Sequence, residues 1–288
     1  LLTGYFIPVS VPVMDLSAAS ETADTTYYDM IHKDCQKDEA ADFRVKKYQL
    51  DFSVGLNLTG SAKVYVDRSE LKSYRFTLYH GYKVKQVTDQ TGAALDFRRE
   101  HDYVTVTRGG AAVEYLCLEY TGKSPKYYSS YAGVCLPANF AYYPIPGYRE
   151  LFSDNFYGFI DCSLPYDTAF DVRCSGRKQM YCNLAARGDN HFAGNARSIT
   201  LLSGYYDTLK LNDTLVVYPK YADGEIRARI KKNMGTFTKE HRDIRTIFIM
   251  GADNLTPYEH LRSYDGYVVT NSMIDMEQSY FESQIDIS

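Results

Sequence analysis

Zinc chemistry on a helix needs two imidazoles one turn apart, so that both project from the same face toward the ion. Six histidines are present, His32, His80, His101, His191, His241 and His260, and no pair has that spacing or a short-loop equivalent. Neither His-Glu-x-x-His nor its inverted form occurs, and Glu240-His241 and Glu259-His260 each lack the second histidine. The histidines therefore read as surface or turn residues. A Gly-x-Ser-x-Gly elbow and a Gly-rich phosphate loop ending in Lys-Ser/Thr are absent too, which removes the usual nucleophile and nucleotide sites. Catalysis by this chain alone is not expected, and no metal ligand or cofactor site is assigned to it.

Cys35, Cys117, Cys135, Cys162, Cys174 and Cys182 form no Cys-x-x-Cys pair, so neither a zinc knuckle nor a thioredoxin-like motif is supported. They are either free thiols or long-range disulfides, with Cys174 and Cys182 spaced to bridge the two arms of a hairpin. What remains is a loop from Thr121 to Gly147, rich in Gly, Pro, Ser and Tyr and too long for a simple connection. Tyrosine supplies rigid amphipathic contact area at low entropic cost. Tyr127, Tyr128, Tyr142 and Tyr143 are accordingly the candidate contacts to a substrate or partner. The competing reading is that this loop packs against a neighbouring domain.

Composition narrows what these residues serve. Lys+Arg 32 against Asp+Glu 36, a net charge of −4, leaves no basic footprint, and nucleic acid is not an expected partner. The 28 Tyr and 14 Phe without a single Trp suit half-buried pleated surfaces, which favours a mainly β protein. A chain of 288 residues points to two domains rather than one. Sequons begin at Asn57, Asn212 and Asn254, the last followed by Pro257. The apolar start, Leu1 to Val13, is too short to span a bilayer and has no cleavage-site pattern. It reads either as an edge strand with prolines or as the outer end of a membrane helix.

Three regions follow from periodicity. Residues 1–42 form a lead-in, polar from Ser17 to Asp42 and suited to a short helix and a linker. Residues 43–221 carry strand grammar: Tyr48, Leu50, Phe52, Val54 and Leu56 alternate, Gly60 reads as the turn, and Ala62, Val64 and Val66 return. Further strands are expected at 74–78, 84–87, 95–97, 103–106, 113–120, 169–174, 180–184, 198–202 and 215–218, a spacing that indicates a sandwich. In residues 222–288 the period lengthens, with Ile226, Ile230 and Met234 on one stripe of an amphipathic helix. Strands at Thr246–Met250 and Tyr267–Val269 come next, and Met273 to Ile287 has helical promise.

From Tyr48 to Asn271 the order of motifs resembles the aminopeptidase N family of zinc metallopeptidases. The pieces are Tyr48-x-Leu50-x-Phe52, Leu58-Thr59-Gly60-Ser61-Ala62-x-Val64, Tyr82-x-Val84-x-x-Val87-x-Asp89-x-x-Gly92, Leu118-x-Tyr120-x-Gly122 and Thr168-Ala169-Phe170-Asp171-Val172. The resemblance implies a saddle-shaped antiparallel β-sandwich followed by the beginning of a thermolysin-like α/β domain. It also shows departures. Phe140-Ala141-Tyr142-Tyr143-Pro144-Ile145-Pro146-Gly147 keeps the family's aromatic-Pro step without its charged neighbours. Where the family has Gly-x-Met-Glu-Asn, this chain reads Arg262-Ser263-Tyr264-Asp265-Gly266, so Asp265 is the sole carboxylate there, as a site residue or as a turn residue.

The resemblance implies that zinc belongs to a longer parent chain, beyond Ser288. The expected function is then a non-catalytic fragment that shapes a peptide cleft, partnered by the rest of the parent. The departures also resemble aminopeptidase-like ectodomains of bacterial ABC-transporter permease proteins. That alternative implies an extracytoplasmic, membrane-tethered module that binds a peptide or protein ligand.

Overall fold

The computed structural model describes residues 24–31, 34, 36–127, 129–153, 158–220, 224–250 and 261–270. The apolar start, His32, Cys35, Tyr128, His260, the sequon at Asn254 and the carboxy-terminal stretch lie outside these residues.

Alternation of apolar side chains makes β1 (Val45–Val54) and β2 (Leu58–Val66) an antiparallel hairpin, with Tyr48, Leu50 and Phe52 paired to Val64, Ala62 and Gly60. β4 (Tyr82–Thr88), β7 (Tyr115–Gly122), β13 (Thr168–Ser175), β15 (Ala185–Gly188) and β16 (His191–Ala196) join them in a seven-stranded sheet of order β15-β16-β13-β1-β2-β7-β4. The β1–β13 pair is parallel and the other pairs are antiparallel. The turn between β1 and β2 is at residues 55–57, and Gly60 sits inside β2. A Cβ there would lie 2.4 Å from the Tyr120 ring on β7, so the glycine makes room for a buried aromatic.

A second sheet, of order β10-β3-β6-β5, is built from β3 (Ser73–Thr77), β5 (Phe97–Glu100), β6 (Tyr103–Thr107) and β10 (Ile145–Pro146). A third contains β8 (Ser129–Ser130), β9 (Gly133–Leu136), β14 (Met180–Cys182) and β17 (Leu201–Ser203), in the order β14-β17-β9-β8. A short hairpin pairs β11 (Phe152–Ser153) with β12 (Gly158–Phe159). One continuous core joins these pieces, with Tyr48, Phe76, Tyr82, Tyr120, Phe140 and Phe170 among its large side chains. The stretch expected as a loop from Thr121 to Gly147 therefore contributes β8, β9 and β10. Helix α1 (residues 24–31) is part of this domain rather than a loose lead-in, since Tyr28 is buried against Phe152 with ring centroids 4.7 Å apart.

β18 (Tyr206–Leu211), β19 (Thr214–Pro219), β20 (Thr246–Ile249), β21 (Leu261–Tyr264) and β22 (Tyr267–Thr270) form a five-stranded mixed sheet of order β18-β19-β20-β22-β21. The expectation that strands up to Pro219 close the sandwich is corrected here: β18 and β19 belong to this second sheet, and β19 runs parallel to β20. Helix α2 (Gly224–Glu240) covers one face, setting Ile230, Met234 and Phe237 against Val216, Ile247, Ile249 and Val268. The opposite residues of the same strands, Val217, Phe248, Met250, Tyr267 and Val269, pack on Cys135, Ala138 and Leu202 of the β domain. Period-two alternation thus places this sheet as the middle layer between a helix and the β domain.

Among the described residues, Cys117, Cys135, Cys162, Cys174 and Cys182 are free thiols, so the Cys174–Cys182 bridge is not formed. Burial pushes the Cys162 and Cys182 thiols up to about 12, which keeps them protonated and unreactive.

Candidate functional site

The aromatic loop is positioned by its hydroxyls. Tyr142 donates to the Ile199 carbonyl at 2.7 Å, and its own carbonyl accepts from the Tyr120 hydroxyl at 2.8 Å. Tyr48 donates to the Pro144 carbonyl at 2.8 Å, which fixes the aromatic-Pro step. Tyr143 packs edge-on to Tyr48 and Phe170, and Tyr127 stands against Phe140 and Phe159 while its oxygen accepts from Asn139 at 3.2 Å. Tyr127, Tyr142 and Tyr143 are fully buried within this one chain. The structure places them in the core rather than on an open contact face: the Tyr142 and Tyr127 oxygens have a backbone and an amide partner, and the Tyr143 ring is enclosed by Tyr48, Tyr142 and Phe170. Of the described tyrosines between Thr121 and Gly147, Tyr131 is the exposed one.

Asp265 lies in the two-residue turn between β21 and β22, exposed and followed by Gly266 at φ 79°. That is turn chemistry. The neighbouring Tyr264 stacks on Tyr267 with centroids 4.7 Å apart, and Tyr267 meets Ser198 of the β domain at 3.0 Å between hydroxyl oxygens. Arg262 donates from Nη2 to the Phe159 carbonyl at 3.3 Å. Burial raises the Tyr264 and Tyr267 phenols well above their ordinary range, so both remain neutral. The polar groups at the largely apolar junction between the second sheet and the β domain include neutral phenols and the Arg262 guanidinium.

A group of titratable side chains in mutual contact lies elsewhere, where α1 meets the turns before β4 and between β5 and β6. Asp102, fully buried, accepts from the His80 amide at 2.6 Å and from the Tyr28 hydroxyl at 2.9 Å, and its Oδ1 lies 3.2 Å from His80 Nδ1. Asp24 accepts from the Tyr79 hydroxyl at 2.6 Å, with His80 Nε2 at 4.0 Å from the same oxygen. Tyr27 stacks on His80 at 3.6 Å between centroids and meets His101 Nδ1 at 3.0 Å. Burial raises the Asp24 carboxyl, against the lowering influence of Tyr79 and His80. This is a carboxylate–imidazole arrangement without a nucleophile, and it clamps α1 to the domain.

The sequence reading missed this cluster because its members come from residues 24–28, 79–80 and 101–102, with no motif spacing. The one local signal is His101-Asp102 in a tight hairpin, with His101 at φ 52°. Among the described residues no three His, Cys, Asp or Glu side chains are grouped to hold a metal ion, so the donor set for zinc is not met there.

The layering, a multi-sheet β domain followed by a helix-backed mixed sheet, is shared in fold with part of several solved metallopeptidase and hydrolase structures. Solved structures match it: yeast LTA4 hydrolase in complex with bestatin, at TM-score 0.57 and 11% identity over 84% of this chain and 43% of that one. The M1 zinc metallopeptidase from Deinococcus radiodurans matches at TM-score 0.51 and 11% identity over 84% of this chain and 63% of that one. An aminopeptidase N family protein from Idiomarina loihiensis matches at TM-score 0.51 and 9% identity, over 82% and 46% respectively. At these identities the likeness is one of fold, and the chain spans less than half the length of the yeast hydrolase. No family model and no curated protein matches the sequence. The likeness to transporter permease ectodomains gains no support from these comparisons.

Proposed function

We propose that this chain is the cleft-shaping, non-catalytic part of an aminopeptidase N-like zinc metallopeptidase: the β domain together with the first layer of its catalytic domain. The observation that carries the reading is the joint match of both units, in one arrangement, to solved aminopeptidase-fold structures over 84% of the chain. The packing agrees, because Phe248, Met250, Tyr267 and Val269 seat the second sheet on the β domain and leave β21 at an edge of that sheet. An edge strand keeps unpaired backbone donors and acceptors that an extended peptide can meet. Residues holding zinc, and the base that would work with it, are assigned to none of the described residues, among which no three His, Cys, Asp or Glu side chains are grouped.

The test is metal analysis of the complete gene product together with hydrolysis of aminoacyl fluorogenic substrates. Bound zinc with chelator-sensitive hydrolysis is the expected result. A folded, metal-free and inactive product would reject the reading and leave recognition of a peptide or protein as the function. As to membranes, no helix among the described residues is long and apolar enough to cross one.

A further inference from the structure

Large apolar or aromatic side chains are exposed at four positions among the described residues, and three of them converge. Leu56, 65% exposed, is in the β1–β2 turn; Tyr131, 53% exposed, is in the β8–β9 turn; and Tyr205, 54% exposed, is between β17 and β18. A Cβ on Gly55 would lie 3.6 Å from the Tyr131 ring, which puts the first two turns in contact. The second and third meet at glycines: a Cβ on Gly133 would fall 2.1 Å from the Ser203 carbonyl oxygen and 2.7 Å from Gly204 Cα. A fourth turn, after β13, closes on the first, with Gly176 against Val54. It carries Arg177 over the Tyr131 ring at 5.0 Å and Lys178 over the Tyr205 ring at 5.0 Å.

The four turns themselves carry a charge opposite to that of the chain, with exposed Asp51 and Asp207 on the strands that flank them. Residues 53–57, 129–133, 175–179 and 203–205 contain no aspartate or glutamate, whereas the whole chain has Asp+Glu 36 and a net charge of −4. Arg177 and Lys178 are the only charged groups in the four turns. From this we infer that the four turns form a peripheral docking surface for an anionic lipid membrane. Leu56, Tyr131 and Tyr205 enter the headgroup region, and Arg177 and Lys178 face its phosphates.

Two features favour lipid over protein. Tyrosine and an exposed aliphatic tip beside basic residues are the amphipathic set that sits at a membrane–water interface. Three large side chains and two cations are also far fewer than the roughly 20–30 residues a side of a stable protein interface. The inference is independent of the hydrolytic reading.

The test is sedimentation of the chain with vesicles of phosphatidylcholine alone and of phosphatidylcholine mixed with phosphatidylserine. Binding about thirtyfold tighter to the mixed vesicles is expected from two surface cations. Arg177→Gln with Lys178→Gln should remove that preference, and Leu56→Ser with Tyr131→Ser should weaken binding to both vesicle types. Lys231→Gln with Lys232→Gln, on the exposed face of α2, should change neither. Unchanged thermal unfolding midpoints in all variants confirm that they fold. Protein left in the supernatant with both vesicles overturns the proposal, and so does binding that falls with the α2 pair but not with the turn pairs.

Discussion

At the scale of single residues, the clamp on α1 depends on two buried carboxylates in different settings. Asp102 has its oxygens engaged by the His80 amide and the Tyr28 hydroxyl, whereas Asp24 Oδ2 is buried without a hydrogen-bond partner. Burial raises the Asp24 carboxyl in the folded state, so the native protein holds its proton more tightly than the unfolded chain does. The stability tied to that proton is full below the ordinary carboxylate range and is lost as pH rises through the raised native value. Asp24→Asn keeps an acceptor for Tyr79 but cannot ionise. Its stability relative to the unsubstituted protein should therefore rise between pH 4 and pH 7 in urea unfolding, with the sign set by linkage. A difference that is flat with pH, or that falls, would count against a strained Asp24 carboxylate.

At the scale of elements, backbone irregularities do the positioning. Val84 and Val87 are both buried although three positions apart, because a register shift between Val84 and Gln86 resets which face of β4 points inward. Gly60 is the counterpart on β2, where the missing side chain admits the Tyr120 ring and lets its hydroxyl reach the Tyr142 carbonyl. Gly60→Ala should cost about 1–3 kcal/mol through overpacking, read as a lower denaturation midpoint. An unchanged midpoint would mean that Tyr120 has room to move. The sequon positions are divided by the same kind of local fit. Asn57 is in an open turn, whereas the Asn212 amide donates to Thr238 at 2.7 Å and Thr214 is buried with its hydroxyl on the Ile244 carbonyl.

At the scale of the whole molecule, the middle-layer sheet decides whether the chain behaves as one unit or two. Phe248 and Met250 point from it into the β domain, while Ile247 and Ile249 on the same strand point to α2. Truncating buried Phe and Met side chains costs about 2–5 kcal/mol each. Phe248→Ala with Met250→Ala should therefore loosen the sheet from the β domain and split a single calorimetric transition into two. A single transition shifted as a whole would show that the two units share stability through other contacts, such as Ser198 with Tyr267.

Strand grammar, the amphipathic stripe of α2 and the turn role open to Asp265 were legible from the sequence alone, because alternation, helical period and Asp-Gly chemistry are properties of neighbouring residues. The absence of a His-Glu-x-x-His pair belongs to the same class. Sheet membership was not legible: Leu215 to Tyr218 reads as a strand in any sheet, and only hydrogen bonding to Thr246, Ile247 and Phe248 assigns it to the second one. The aromatic loop illustrates the same limit, since a tyrosine-rich run has one composition whether it lies open or buried. Tyr142 and Tyr143 entered the core because the Ile199 carbonyl and the Tyr48 ring were there to receive them. The His80–Asp102–Asp24 cluster and the four-turn patch needed chain segments far apart in sequence to meet, and that meeting is decided by long-range packing, which leaves no local pattern to read.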